Sequence, residues 1–182
     1  MNQLGFIHFL FYLLVTSAYV YSFCIYDAQL FRDGKYDVMG FPFDSSYGGR
    51  AKFLTYNNVA LQIIFFSLST LNAFISLIVS TKVDSTLRKL TNFIYVSFAF
   101  PFGSLVSIIF WLLYYIDRSL VYPSSLDNIM PSWLNHVLHT LPIIGMLTEA
   151  YMTKHTYPSF IKGVSLTAIL IVSYISWYIY IN

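Results

Sequence analysis

Residues 53 to 80 read "FLTYNNVALQIIFFSLSTLNAFISLIVS", and how this stretch is placed decides the fold. It carries no Lys, Arg, Asp or Glu and exceeds the ~20 residues that a helix needs to cross a bilayer core. Its polar residues are not scattered. Thr55, Asn58, Gln62, Ser69, Asn72 and Ser76 recur at steps of three, four or seven, with Phe65 filling the apolar place in the series. That spacing draws a stripe down one helix face. Lipid offers such side chains no partner, so the stripe is expected to face other helices, where small and amide residues pack closely and hydrogen-bond across the interface.

The rest of the chain supplies those helices. Of its 182 residues 57% are hydrophobic and 10% charged, against roughly 25% charged in an ordinary soluble domain. The expected fold is therefore all-α, a multi-pass transmembrane helix bundle, in a single integral membrane domain covering residues 1–182. Its spans are expected at about 4–25, 53–80, 93–116, 131–151 and 164–181. A cleaved signal peptide fits the first run poorly, because no basic residue precedes it and its apolar part is too long.

Charged residues sit between the runs. Asp27 to Lys52 forms the one long loop, Lys82, Asp84, Arg88 and Lys89 a short turn, Asp117 and Arg118 end the third span, and Lys154 and His155 close the fourth. In "AFPFG" (99–103) Pro101 removes one helix hydrogen bond and is expected to bend the third span, while Pro131 suits the first turn of the fourth. Lys and Arg divide five and five between the two membrane sides. The charges of the short loops weigh toward a cytoplasmic N-terminus, since long loops count for less. A net charge of +2 without basic clusters gives no case for nucleic acid. Cys24 is the single cysteine, so no intrachain disulfide forms and no cysteine-based metal site exists.

A second polar cluster, "NHVLHT" at residues 135–140, stands among Leu, Ile, Met and Trp. Spans two and four enter the membrane from the same side. At ~1.5 Å per residue His139 lies about 12 Å along a helix from Pro131 and Thr55 about 3 Å along one from Phe53. Tilt, or an earlier start at Gly49, removes that difference. A hydroxyl needs a base to act as a nucleophile at neutral pH; His139 is the candidate, and a hydrogen bond from Thr55 to it is geometrically open. Structural packing of the same residues is the competing reading. A metal held by His136 and His139 from one helix face is the third, but four histidines in all and no carboxylate in the helix's first turns make too few ligands, so no metal is expected. Asp117 and Arg118, on the Thr55 side, have the reach to orient a histidine, and Glu149 is expected to end the fourth span near the opposite interface.

The stretches "GGRAKFLTYNNVALQ" (48–62), "AFPFG", "YYIDRSLVYPSSLDNIMPSWLNHVLHT" (114–140) and "YPS" (157–159) resemble the androgen-induced gene 1 family, from about residue 47 onward. The resemblance implies an atypical integral-membrane hydrolase that cleaves fatty acid esters of hydroxy fatty acids with a threonine and a histidine, and with no metal or organic cofactor. By motif the threonine falls on Thr55 in "KFLT" and the histidine on His139. Asn58, Asn135 and His136 then stand as supports, with Asn58 or Asn135 and the N–H groups opening span two as donors to an oxyanion. The implied partners are a lipid ester entering sideways from the bilayer and the membrane lipids, in the plasma membrane or endoplasmic reticulum. The family pattern has six spans where this chain carries five. The alternative is a non-catalytic multi-pass protein, a signalling or scaffold subunit, whose polar residues serve helix packing. A transporter ranks third, because no internal repeat or mid-membrane charge pair is present.

Overall fold

Backbone polar groups in a bilayer must be paired within the segment, so apolar runs of spanning length fold as helices. The computed structural model describes residues 3–33, 37–38, 41–42, 48–78 and 85–181. Lys35, Asp44, Lys82 and Asp84, expected in loops, lie outside the described residues.

The first helix, α1 (Gln3–Tyr19), passes through a π-helical stretch at Val20–Asp27 into α2 (Ala28–Arg32). It therefore runs beyond the expected end at residue 25 and takes in Asp27, which was expected to open a loop. The charge is tolerated because it is paired: Arg50 Nη1 lies 2.9 Å from Asp27 Oδ2, and the Tyr56 hydroxyl donates to Oδ1 at 3.0 Å. Strands β1 (Asp37–Val38) and β2 (Phe41–Pro42) form a two-residue antiparallel pair, a minor feature of an otherwise helical protein.

The stripe-bearing helix is α3 (Leu54–Ile78), preceded by a 3₁₀ turn at Gly49–Lys52. Gly48 before that turn has φ +90°, and a Cβ on it would stand 2.9 Å from Ile181 Cδ1, so both conformation and space favour glycine there. Next come α4 (Ser85–Ile94), a π-helical stretch at Tyr95–Ala99, and α5 (Phe100–Ile116). The widened turn ends just before Pro101, whose ring has no N–H to bond the Ser97 carbonyl. A π-type insertion is one way a helix carries such a residue without breaking.

The expected fourth span is helical with a one-residue interruption. α6 (Ser132–His139) stops at Thr140, and α7 (Leu141–Met152) begins with Pro142 in its first turn. α8 (Phe160–Ile181) follows. Four helical segments, Gln3–Leu30, Leu54–Ile78, Thr86–Ile116 and Phe160–Ile181, are long and apolar enough to cross a membrane, and α7 is a shorter apolar helix.

The core lies among α1, α3, the Tyr95–Ala99 stretch, α6 and α7, where Tyr19, Phe65, Phe66, Tyr95, Leu134, Leu138 and Met146 are buried. Tyr19 stacks on Phe66 with ring centroids 6.1 Å apart. α8 has no buried residue. Its Tyr174 hydroxyl donates to the Lys52 carbonyl at 2.7 Å and its Trp177 Nε1 to the Ala51 carbonyl at 3.3 Å, which tie it to the turn before α3.

Candidate active site

Thr55 opens α3 and His139 closes α6, and the two meet: Thr55 Oγ1 lies 3.2 Å from His139 Nε2. The direction of that bond follows from the other edge of the ring. His139 Nδ1 faces the Asn135 side-chain oxygen at 2.8 Å and the Asn135 backbone carbonyl at 3.1 Å. A backbone carbonyl only accepts, so Nδ1 carries the hydrogen, Nε2 carries the lone pair, and the Thr55 hydroxyl donates to it. Phe110 stacks on the imidazole with centroids 3.5 Å apart and planes 9° apart. His139 and Asn135 are buried and Thr55 is half-buried. A hydroxyl, an imidazole and a group that orients the ring are thus hydrogen-bonded in series, an arrangement able to activate a hydroxyl.

Asn58 lies one helical turn beyond Thr55 and is fully buried. Its orientation is set by a chain of bonds that starts at a carbonyl. Ala99 O accepts from Gln62 Nε2 at 3.0 Å, so the same nitrogen must also donate to Asn58 Oδ1 at 3.2 Å. That turns Asn58 Nδ2 away from Gln62, and it has no hydrogen-bond partner among the described residues. Close approach of α5 makes this cluster possible: a Cβ on Gly103 would fall 2.6 Å from Gln62 Nε2.

Other expected participants stand elsewhere. His136 is exposed, its Nδ1 3.0 Å from Thr140 Oγ1 and its ring 5.4 Å from that of Trp111, so it braces the end of α6 on the outer face. Asp117 and Arg118 do not reach His139. Asp117 Oδ1 accepts from the Ser119 hydroxyl at 2.7 Å and amide at 2.9 Å, which hold the carboxyl below the usual carboxylate range. Arg118 pairs with Asp127 and lies over the rings of Tyr122 and Tyr114. At the start of α3 the N–H groups of Tyr56 and Asn57 both bond the Phe53 carbonyl. The role of Asn135 was readable in part, since its spacing of four from His139 puts both on one helix face.

An all-helical bundle of membrane-spanning segments with a hydroxyl, an imidazole and an amide aligned at one end places the chain among multi-pass integral membrane proteins. It belongs to the FAR-17a/AIG1-like family, whose model matches residues 7–182. The androgen-dependent TFPI-regulating protein of Mesocricetus auratus is 33% identical over 167 residues, 88% of this chain and 71% of that protein. Androgen-induced gene 1 protein of Homo sapiens is 33% identical over 154 residues, 81% of this chain and 65% of the relative. The Rattus norvegicus androgen-dependent TFPI-regulating protein is 37% identical over 119 residues, covering 52% of its own length. The chain therefore spans between about half and just under three quarters of these relatives. No solved structure matches it.

Proposed function

We propose that the chain is an integral-membrane threonine hydrolase acting on fatty acid esters of hydroxy fatty acids. The observation that carries the reading is the 3.2 Å contact between Thr55 Oγ1 and a His139 Nε2 whose tautomer is set by Asn135. The substrate class comes from the family resemblance.

In this mechanism Thr55 Oγ attacks the ester carbonyl carbon while its proton passes to His139 Nε2. The oxyanion forms within reach of Asn58 Nδ2. Collapse breaks the bond to the alkoxy oxygen, which takes the proton from His139 and leaves as the hydroxy fatty acid. Water then attacks the acyl-threonine, giving its proton to His139, and collapse returns that proton to Thr55 as the fatty acid departs. No step calls for a metal or organic cofactor.

The ester is drawn sideways from the bilayer. An open groove of ≈390 Å³ beside α6, lined by Ala18, Tyr21, Ser22, Tyr26, Trp133 and Val137, has room for an acyl chain on the face of α6 opposite His139. The membrane is that of the cell surface or endoplasmic reticulum, which fractionation of tagged protein distinguishes.

The test is turnover of a branched fatty acid ester by purified protein, beside Thr55→Ala and His139→Ala. Wild type cleaves the ester, and each variant keeps its helical content and loses at least ~10²-fold in kcat, the lower end of what a general base supplies. If these residues serve packing alone, folded wild type shows no turnover and the substitutions lower stability instead.

A further inference from the structure

At the end of the bundle away from Thr55 lies a second cavity of ≈370 Å³, within the ~300–1,000 Å³ typical of small-ligand pockets. Tyr12 of α1, Ser69 and Asn72 of α3, Arg88 of α4, Glu149 of α7 and His155 beyond it contribute to the lining. Ser69 is about 21 Å from Thr55 along α3 at ~1.5 Å per residue. Ser69, Asn72 and Ser76, expected to bind helices together, open onto this space, and Ser76 Oγ bonds back to the Asn72 carbonyl at 2.8 Å.

Two features define what fits. The first is a pair of buried acceptor atoms, one of them on Glu149, whose side chain also meets the Tyr12 hydroxyl. Glu149 and His155 are buried together, their side chains 4% and 3% exposed, with His155 Nε2 3.2 Å from Glu149 Oε1 but not aligned as a hydrogen bond. Asn92 donates through Nδ2 to the Thr156 carbonyl and accepts the Thr156 N–H at Oδ1, both at 3.0 Å. Oδ1 is therefore the atom 3.1 Å from His155 Nδ1, and Nδ1 carries a hydrogen. Tyr95 stacks on the same ring with centroids 3.8 Å apart. This bracing fixes the pair, while Glu149 Oε2 and Asn72 Oδ1 have no hydrogen-bond partner among the described residues. Buried acceptors left in that condition favour a ligand that brings donors.

The second feature is charge. Arg88 and Lys154 line the same cavity and are exposed. Acceptors lie inside and cations at the accessible side, an order that opposes the dipole of a zwitterion carrying an ammonium next to a phosphate. A bare anion would meet Glu149 and leave both acceptors unsatisfied. A choline headgroup has the charges but no N–H.

We propose that this cavity binds the headgroup of phosphatidylethanolamine, its ammonium donating to Glu149 Oε2 and Asn72 Oδ1 and its phosphate meeting Arg88 and Lys154. The site is separate from Thr55 and stands whether or not the chain hydrolyses esters.

The experiment reconstitutes the full chain in bilayers of equal phosphatidylethanolamine, phosphatidylcholine and phosphatidylglycerol, and reads retained lipid by native mass spectrometry. Wild type and Thr55→Ala are expected to retain phosphatidylethanolamine about tenfold over phosphatidylcholine, the discrimination of one charge-assisted hydrogen bond. Glu149→Gln, which keeps the side chain's shape, erases the preference. Arg88→Ala, at an exposed position that does not threaten folding, lowers phosphatidylethanolamine retention. Equal retention of phosphatidylethanolamine and phosphatidylcholine overturns the proposal, as does equal retention of phosphatidylglycerol or a preference that survives both substitutions.

Discussion

Asn135 grips one edge of the His139 ring with two oxygens, Oδ1 at 2.8 Å and its own backbone carbonyl at 3.1 Å, while the opposite edge meets Thr55. Removing the side-chain oxygen leaves the carbonyl, so Asn135→Ala should preserve the tautomer and loosen the ring. The expected fall in kcat is roughly tenfold, short of the ~10²–10⁴-fold that a general base supplies in full. Single-turnover kinetics on a lipid ester, beside His139→Ala, measures both. Equal loss in the two variants would show that the amide does more than position the ring.

In the proposed mechanism the Asn58 donor acts on charge that develops only during reaction. Asn58→Ala is therefore expected to lower kcat by about 10²–10³-fold, as loss of one oxyanion donor does, and to leave KM nearly unchanged. A rise in KM at constant kcat would place Asn58 in substrate binding instead.

Gly103 lets α5 approach the amide pair on α3. Gly103→Ala drives a methyl into Gln62 Nε2 at 2.6 Å, and Gln62 cannot swing aside without losing its bonds to Ala99 and Asn58. The expected cost is ~1–3 kcal/mol, the range for overpacking, read by denaturant unfolding in detergent. Gln62→Ala in the same chain should recover most of what the methyl costs, and failure to do so would locate the strain elsewhere.

Asp27 is fully buried and its Arg50 partner is partly exposed, at 0% and 28% of their side chains. Arg50→Gln removes the cation and leaves the carboxylate inside, a change that typically costs about 3–5 kcal/mol. Arg50→Gln combined with Asp27→Asn should be the more stable of the two variants, measured by thermal unfolding. The opposite order would mean that the carboxylate is held mainly by partners other than Arg50, Tyr56 among them.

Much of this architecture was legible in the sequence because lipid imposes a simple length rule. The runs around Leu54–Ile78 and Phe160–Ile181 announce themselves as helices by composition alone. The segment 131–151 was harder. Pro142 signals lost backbone pairing, and the structure interrupts the helix at Thr140, between α6 and α7. Depth along the two helices left a Thr55–His139 hydrogen bond open without fixing it, and the structure places the two at 3.2 Å. Long-range pairs were out of reach altogether. Asp27 joins Arg50 across the intervening loop, and Glu149 joins His155 around the end of α7. Both carboxylates read as ends of spans when each helix is considered by itself. Spacing alone does not separate His136 from His139; the family resemblance singled out His139, and in the structure His139 is buried and His136 exposed.

α8 is attached through the carbonyls of Ala51 and Lys52, three and four residues before Thr55, and has no buried residue of its own. α8 also packs against the Tyr95–Ala99 stretch, so a helix whose tilt answers to bilayer thickness is held at two places, that π-helical stretch and the turn that launches α3.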